Sequence, residues 1–117
     1  MIPLFNRYDQ TPGEENVAAR EIKSRLDNGE RVNLLDVREP WEYETAKIEG
    51  AKLIPLAELD QRKTELDPNT ELIVYCHKGV RGLKAVRHLK NCGFTNTKNL
   101  SGGIEAWSDI DPSVPKY

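Results

Sequence analysis

The chemistry of this chain is concentrated in one unbroken run, Cys76-His77-Lys78-Gly79-Val80-Arg81. A thiol attacks as its thiolate, and nearby cations or a helix N-terminus favour that form. Both are expected here. The apolar run ELIVYC (71–76) reads as a buried strand, and GLKAVRHLKNCG (82–93) carries helical periodicity. Cys76 therefore stands where a strand ends and a helix is about to begin. The free N–H groups of that first turn, with those of a tight loop, make a cup for an anion. Gly79 allows positive φ and a close backbone approach, while Lys78 and Arg81 add formal charge.

Taken alone, a cysteine at a strand end is more often a small buried hydrophobe than a nucleophile. The charged, glycine-containing turn shifts the balance, because an inert thiol has no use for Lys78 and Arg81. His77 is a poor choice of base for Cys76, since neighbouring side chains usually point apart; its expected contribution is its backbone. His88, on the following helix, reads as a surface or packing residue. Cys92, in that helix's last turn with no cationic setting, reads as structural.

Other elements must hold this loop in place. Residues 1–12 read as a loose N-terminal arm and 13–117 as one domain. Thr11-Pro12-Gly13-Glu14 has the pattern of a capping box, opening a helix with Val17, Ile22 and Leu26 on one stripe and a stop at Asn28-Gly29. VNLLDV (32–37) and AKLIPL (51–56) look like strands, EPWEYETA a brief helix, and LAELDQRKTEL another. TKNL and GGIEAW supply a last strand and helix. Strands alternating with helices predict an α/β fold, a mostly parallel central sheet with helices on both faces. In such a sheet ligands collect at the carboxyl ends of the strands, where Cys76 lies.

Composition narrows the function classes. The 117 residues are 38% hydrophobic and 31% charged, with a net charge of −2, as in an ordinary soluble domain. That charge argues against a nucleic-acid partner held by a basic face. No apolar run approaches the ~18 residues of a membrane helix, so no membrane association is expected. The N-terminus lacks the pattern of a signal peptide. Cys76 and Cys92 are too few for a disulfide scaffold, no zinc pattern stands out, and a reducing, cytoplasmic setting is expected.

Loop length separates the chemistries such a cup serves. Cysteine phosphatases follow C-x5-R, whereas Cys76 to Arg81 is C-x4-R. The smaller ring suits a single sulfur on the cysteine better than a phosphoryl group. CHKGVR resembles the active-site loop of the rhodanese sulfurtransferases, written C-R-x-G-x-R. LLDVREPWEY (34–43) is similar to that family's N-terminal signature, LSGGIEAW (100–107) to its C-terminal one, and IEGAKLIPLAEL (48–59) to the segment between them. The ending WSDIDPSVPKY resembles that of rhodanese domains fused behind E1-like adenylating enzymes of the molybdopterin-synthase sulfurylase type.

The resemblance implies a single rhodanese domain and a covalent mechanism. The Cys76 thiolate takes a sulfane sulfur from thiosulfate or a persulfide-bearing protein. The resulting persulfide is held by the amides of His77, Lys78, Gly79, Val80, Arg81 and Gly82. A nucleophilic acceptor, such as a ubiquitin-like sulfur carrier, then collects the sulfur. Lys78 and Arg81 would attract anionic donors, and Arg81 would also brace the loop. Asp36 and Arg38, which match the signature's DVR, would support it. No cofactor or metal is implied. The chain departs from the pattern at Gly82, where serine is common, at His77, where arginine is usual, and at Ala46-Lys47, where a histidine is missing. A non-catalytic binding module and a phosphatase or arsenate reductase remain the alternatives.

Overall fold

The computed structural model describes residues 15–117. Its sheet is centred on the run the sequence marks most strongly. Strand β4 (Leu72–Tyr75) is buried at every position, as parallel strands covered on both faces are. β2 (Leu34–Asp36) lies on one side of it and β5 (Thr97–Leu100) on the other, with β3 (Lys52–Leu53) and β1 (Asn16–Val17) at the two edges. The order is β1-β5-β4-β2-β3, and every pairing is parallel. All strands therefore end at the same edge, and Cys76 follows β4 there.

Alternation along the strands sends side chains to two cores. Leu34, Ile73 and Tyr75 join Ile22 of α1 (Ala19–Asp27) with Ile104 and Trp107 of α5 (Gly103–Ser108). Leu35, Val74 and Cys76 face the other way, toward Ala85, Val86 and Leu89 of α4 (Val80–Asn91) and Leu59 of α3 (Leu59–Arg62). Helices thus cover both faces, as expected. The short α2 (Pro40–Thr45) begins with proline at its first turn and a reciprocal cap between Glu39 and Glu42. Among the described residues, no helix is long and apolar enough to cross a membrane.

The structure corrects several boundaries. Val17, expected on a helical stripe, belongs to β1 and pairs with Leu100. The backbone N–H groups of Asn99 and Ser101 donate to Glu15 and Val17, so tertiary pairing, not local pattern, makes that strand. The Thr11–Glu14 cap and the arm at 1–12 lie outside the described residues. Of AKLIPL only Lys52–Leu53 is regular strand; Ile54 and Leu56 N–H still donate to the Asp36 and Val37 carbonyls, and Pro55 between them has no N–H to continue a ladder. The helix expected over LAELDQRKTEL is the single turn of α3 between 3-10 turns at Leu56–Glu58 and Lys63–Glu65. Helix α4 starts at Val80, not Gly82, which puts Arg81 and Gly82 in its first turn.

Candidate active site

The loop after β4 closes on the thiol. Gly79 is the N-cap of α4 at φ 111°, a left-handed backbone that glycine adopts at little cost. That turn aims two amides at Cys76: the N–H groups of Gly79 and Gly82 both lie 3.1 Å from Sγ. Cys76 is 1% exposed and packs on the apolar face of α4. It therefore meets donors on one side and hydrocarbon on the other. The first turn of α5 grips the loop from behind. Ile104 N–H donates to the Cys76 carbonyl at 2.9 Å and Glu105 N–H to that of His77 at 3.0 Å. Gly103, at φ 60°, lets this turn approach so closely. Asn99, on β5, donates from Nδ2 to the Gly79 carbonyl at 3.2 Å.

A chain of charged groups ties the loop to β2. Arg81 forms a two-pronged bond with Glu42 at 2.7 and 3.0 Å. Glu42 also accepts from Tyr117 Oη at 2.7 Å, and Tyr117 Oη accepts from Arg38 at 2.7 Å. Arg38 donates to both oxygens of Asp36, at 2.8 and 2.6 Å, and to the carbonyls of Glu42 and Ala46. Arg38 and Asp36 are both fully buried. Burial works against the Arg38 charge, but Asp36 and Tyr117 outweigh it and hold the guanidinium above its ordinary range. Burial raises the Tyr117 phenol to about 12, so it stays protonated and can donate to Glu42.

The remaining loop residues divide by role. His77 stacks on Tyr117, ring centroids 4.1 Å apart, with Nε2 3.6 Å from Glu105; burial lowers its pKa. Its ring has partners of its own, and its carbonyl seats α5. Lys78 and Val80 are exposed, Val80 at 68%. They border a cleft of about 300 Å³ that also reaches Leu83, Asn99 and Ser101. A larger cleft of about 620 Å³, lined by Asn33, Leu34 and Leu72, sits at the amino ends of β2 and β4, away from the thiol. Gly82 is packed on Asn99, whose Oδ1 would lie well inside contact distance of any Cβ there. That leaves no room for the serine hydroxyl of the resembled pattern without moving Asn99.

The structure thus brings Cys76 and residues 77–82 together and joins Asp36 and Arg38 to them indirectly, through Tyr117, Glu42 and Arg81. Glu42, Tyr117, Asn99 and Gly103 are added to the expected site. The spacing Glu39-Pro40-x-Glu42, with proline at the first helical position, was a usable signal for one of them; Tyr117 and Asn99 carried none.

Glu42 makes the assembly acid-sensitive. Its hydrogen bonds to Arg81, with the Glu39 amide and Tyr117, outweigh burial and lower its pKa from 4.5 to about 2. A carboxyl depressed on folding stabilises the native state above its unfolded pKa, and that contribution is lost as pH falls toward the folded value. Stability should therefore decline between pH ~4.5 and ~2. Urea midpoints at pH 7 and 3 should fall further for the wild type than for Glu42→Gln; equal falls would remove Glu42 from the account.

Comparison with known proteins agrees with this geometry. A model described as the rhodanese-like domain matches residues 18–110. YrkF of Bacillus subtilis is 39% identical over 92 residues, 79% of this chain and 50% of its own length. The Zea mays adenylyltransferase and sulfurtransferase MOCS3-1 is 34% identical over 114 residues, 91% of this chain and 24% of its own length. The chain thus spans half or less of these two relatives. A rhodanese-like domain protein from Staphylococcus aureus superimposes with TM-score 0.78 at 28% identity, covering 88% of this chain and 98% of that one. The human single-domain sulfurtransferase TSTD1 gives 0.75 at 28% identity, covering 85% and 99%. A parallel sheet with its cysteine loop at the carboxyl edge, matched over most of its length in sequence and in shape, belongs to the rhodanese-like domain family.

Proposed function

We propose that this protein is a sulfurtransferase that carries sulfane sulfur on Cys76. The supporting observation is the position of Sγ, 3.1 Å from the amides of Gly79 and Gly82 at the start of α4. The Cys76 thiolate attacks the outer sulfur of thiosulfate or of a persulfide donor. The new S–S bond forms as the donor's S–S bond breaks, and sulfite or the donor thiolate leaves with the electron pair. The negative persulfide remains in the cup, where fixed N–H groups favour it as they favour an oxyanion. A nucleophilic acceptor then takes the terminal sulfur and restores the Cys76 thiolate, a two-step covalent cycle.

Sγ is almost closed off, so the donor must offer its sulfur on a narrow tip. Thiosulfate does so, as does a cysteine persulfide on an exposed loop. Resemblance to the adenylyltransferase–sulfurtransferase MOCS3-1 favours an acceptor that is a ubiquitin-like sulfur carrier with an activated C-terminus. A thiol-based cycle of this kind suits a reducing compartment such as the cytoplasm.

Arg81 lies in the first turn of α4 and is anchored by Glu42, so its removal displaces the turn that carries the Gly82 amide. Turnover from thiosulfate to cyanide, read as thiocyanate, should fall roughly tenfold or more in Arg81→Ala. Arg62→Ala, whose partners Glu58 and Glu65 are on the surface, should stay within about twofold. Equal rates for the two variants would contradict the role of Arg81. Turnover of an aryl phosphate in place of sulfur transfer would move the reading to a phosphatase.

A further inference from the structure

We infer that Asp60, His88 and Cys92 form a binding site for Zn²⁺ or a similar thiophilic divalent ion, at the end of α4 opposite the Cys76 loop. One oxygen, one imidazole nitrogen and one sulfur lie within 4.8 Å of one another. His88 Nε2 is 2.9 Å from Asp60 Oδ1 and 3.8 Å from Cys92 Sγ. Zn²⁺ at its usual bond lengths, with tetrahedral angles, separates nitrogen and oxygen by about 3.4 Å and nitrogen and sulfur by about 3.6 Å. Those two separations therefore need to change by only about 0.5 Å or less, and the Asp60 oxygen and Cys92 sulfur, within 4.8 Å of each other, close the triangle by side-chain rotation. Mixed N, S and O donors suit zinc and exclude magnesium or calcium as first choices.

The placement is built into the fold. His88 and Cys92 are four apart at the end of α4, on one face of the helix, and Asp60 comes from α3. Leu59 and Leu89, the neighbours of Asp60 and His88, are 1% and 0% exposed in the same core. They fix the backbones from which the ligands project. Lys63 holds Asp60 Oδ1 at 2.8 Å, an exposed pair of the kind that yields easily, and Asp60 has a second oxygen. The three ligands leave a fourth position for water or a further ligand. As the metal–sulfur bond forms, the Cys92 thiol releases its proton to solvent. The sequence predicts no metal and a structural Cys92; the structure shows Cys92 as an exposed free thiol, four residues from His88.

Cobalt(II), a zinc substitute with visible absorption, tests this. Cys76→Ser (or Cys76→Ala, should the serine variant fold poorly) removes the other thiol. That protein should bind one equivalent of Co²⁺ with a thiolate charge-transfer band, displaced by Zn²⁺, and Zn²⁺ should raise its thermal midpoint. The band and the shift should be lost in Cys76→Ser/Cys92→Ser, and the affinity should fall about tenfold or more in Cys76→Ser/His88→Ala. Absence of the band, or its survival without Cys92, overturns the site and leaves a surface cluster of Lys63, Asp60 and His88. Cys92→Ser alone should load sulfur as the wild type does, so this test and that of the transferase reading fail independently.

Discussion

Gly103→Ala is expected to destabilise the protein by about 3 kcal/mol and to abolish most sulfur loading. Two costs combine. The residue sits at φ 60°, where an L side chain costs roughly 1–2 kcal/mol. Its new methyl would also lie 2.5 Å from the Cys76 carbonyl oxygen and closer still to that of His77; overpacking of this kind costs about 1–3 kcal/mol. The strain is relieved only by moving α5 away from the loop. That breaks the bonds from Ile104 and Glu105 that fix the carbonyls of Cys76 and His77. Loss of loading should therefore exceed the fraction unfolded. Gly50 offers the control, since its φ of 89° is similarly positive but no atom lies within 4 Å of an added Cβ. If Gly50→Ala and Gly103→Ala lose the same stability, the overlap contributes nothing.

Arg38→Met should cost about 3–5 kcal/mol, because it leaves Asp36 charged and unpaired in the interior. It also strips donors from the Ala46 carbonyl and Tyr117. The double variant Asp36→Leu/Arg38→Met removes both charges and should be more stable than Arg38→Met alone, by 1 kcal/mol or more on the same scale. Urea denaturation of the four proteins in this cycle measures the coupling. Simple additivity would show that the pair does not act as one unit.

How much of this is visible in the sequence varies with how local each cause is. Leu72–Tyr75 declares itself because its residue types suit a strand buried on both sides. The parallel sheet follows from the alternation of such runs with helices. CHKGVR stands out because thiol, glycine and cations are contiguous. The start of α4 was missed by two residues because it is set by the φ of Gly79, which the helical pattern of 82–93 does not show. β1 is two residues long and has no period to detect; it exists because Asn99 and Ser101 need acceptors. The bracing chain is still less legible. Glu42 lies 39 residues from Arg81 and 75 from Tyr117, and no local pattern links them. Asp36 and Arg38 could be placed by their motif, but neither full burial nor their link through Tyr117 follows from it.

The central claim is that Cys76 accepts a sulfur atom within the amide cup. Intact-mass measurement after brief exposure to thiosulfate, then to cyanide, addresses it most directly. The account predicts the mass of one added sulfur on the wild type, none on Cys76→Ser, and its removal by cyanide as thiocyanate. Where thiosulfate fails to load, a protein persulfide donor should succeed at the same residue. A wild type that gains no sulfur from either donor, or a Cys76→Ser variant that gains it equally, would contradict the account.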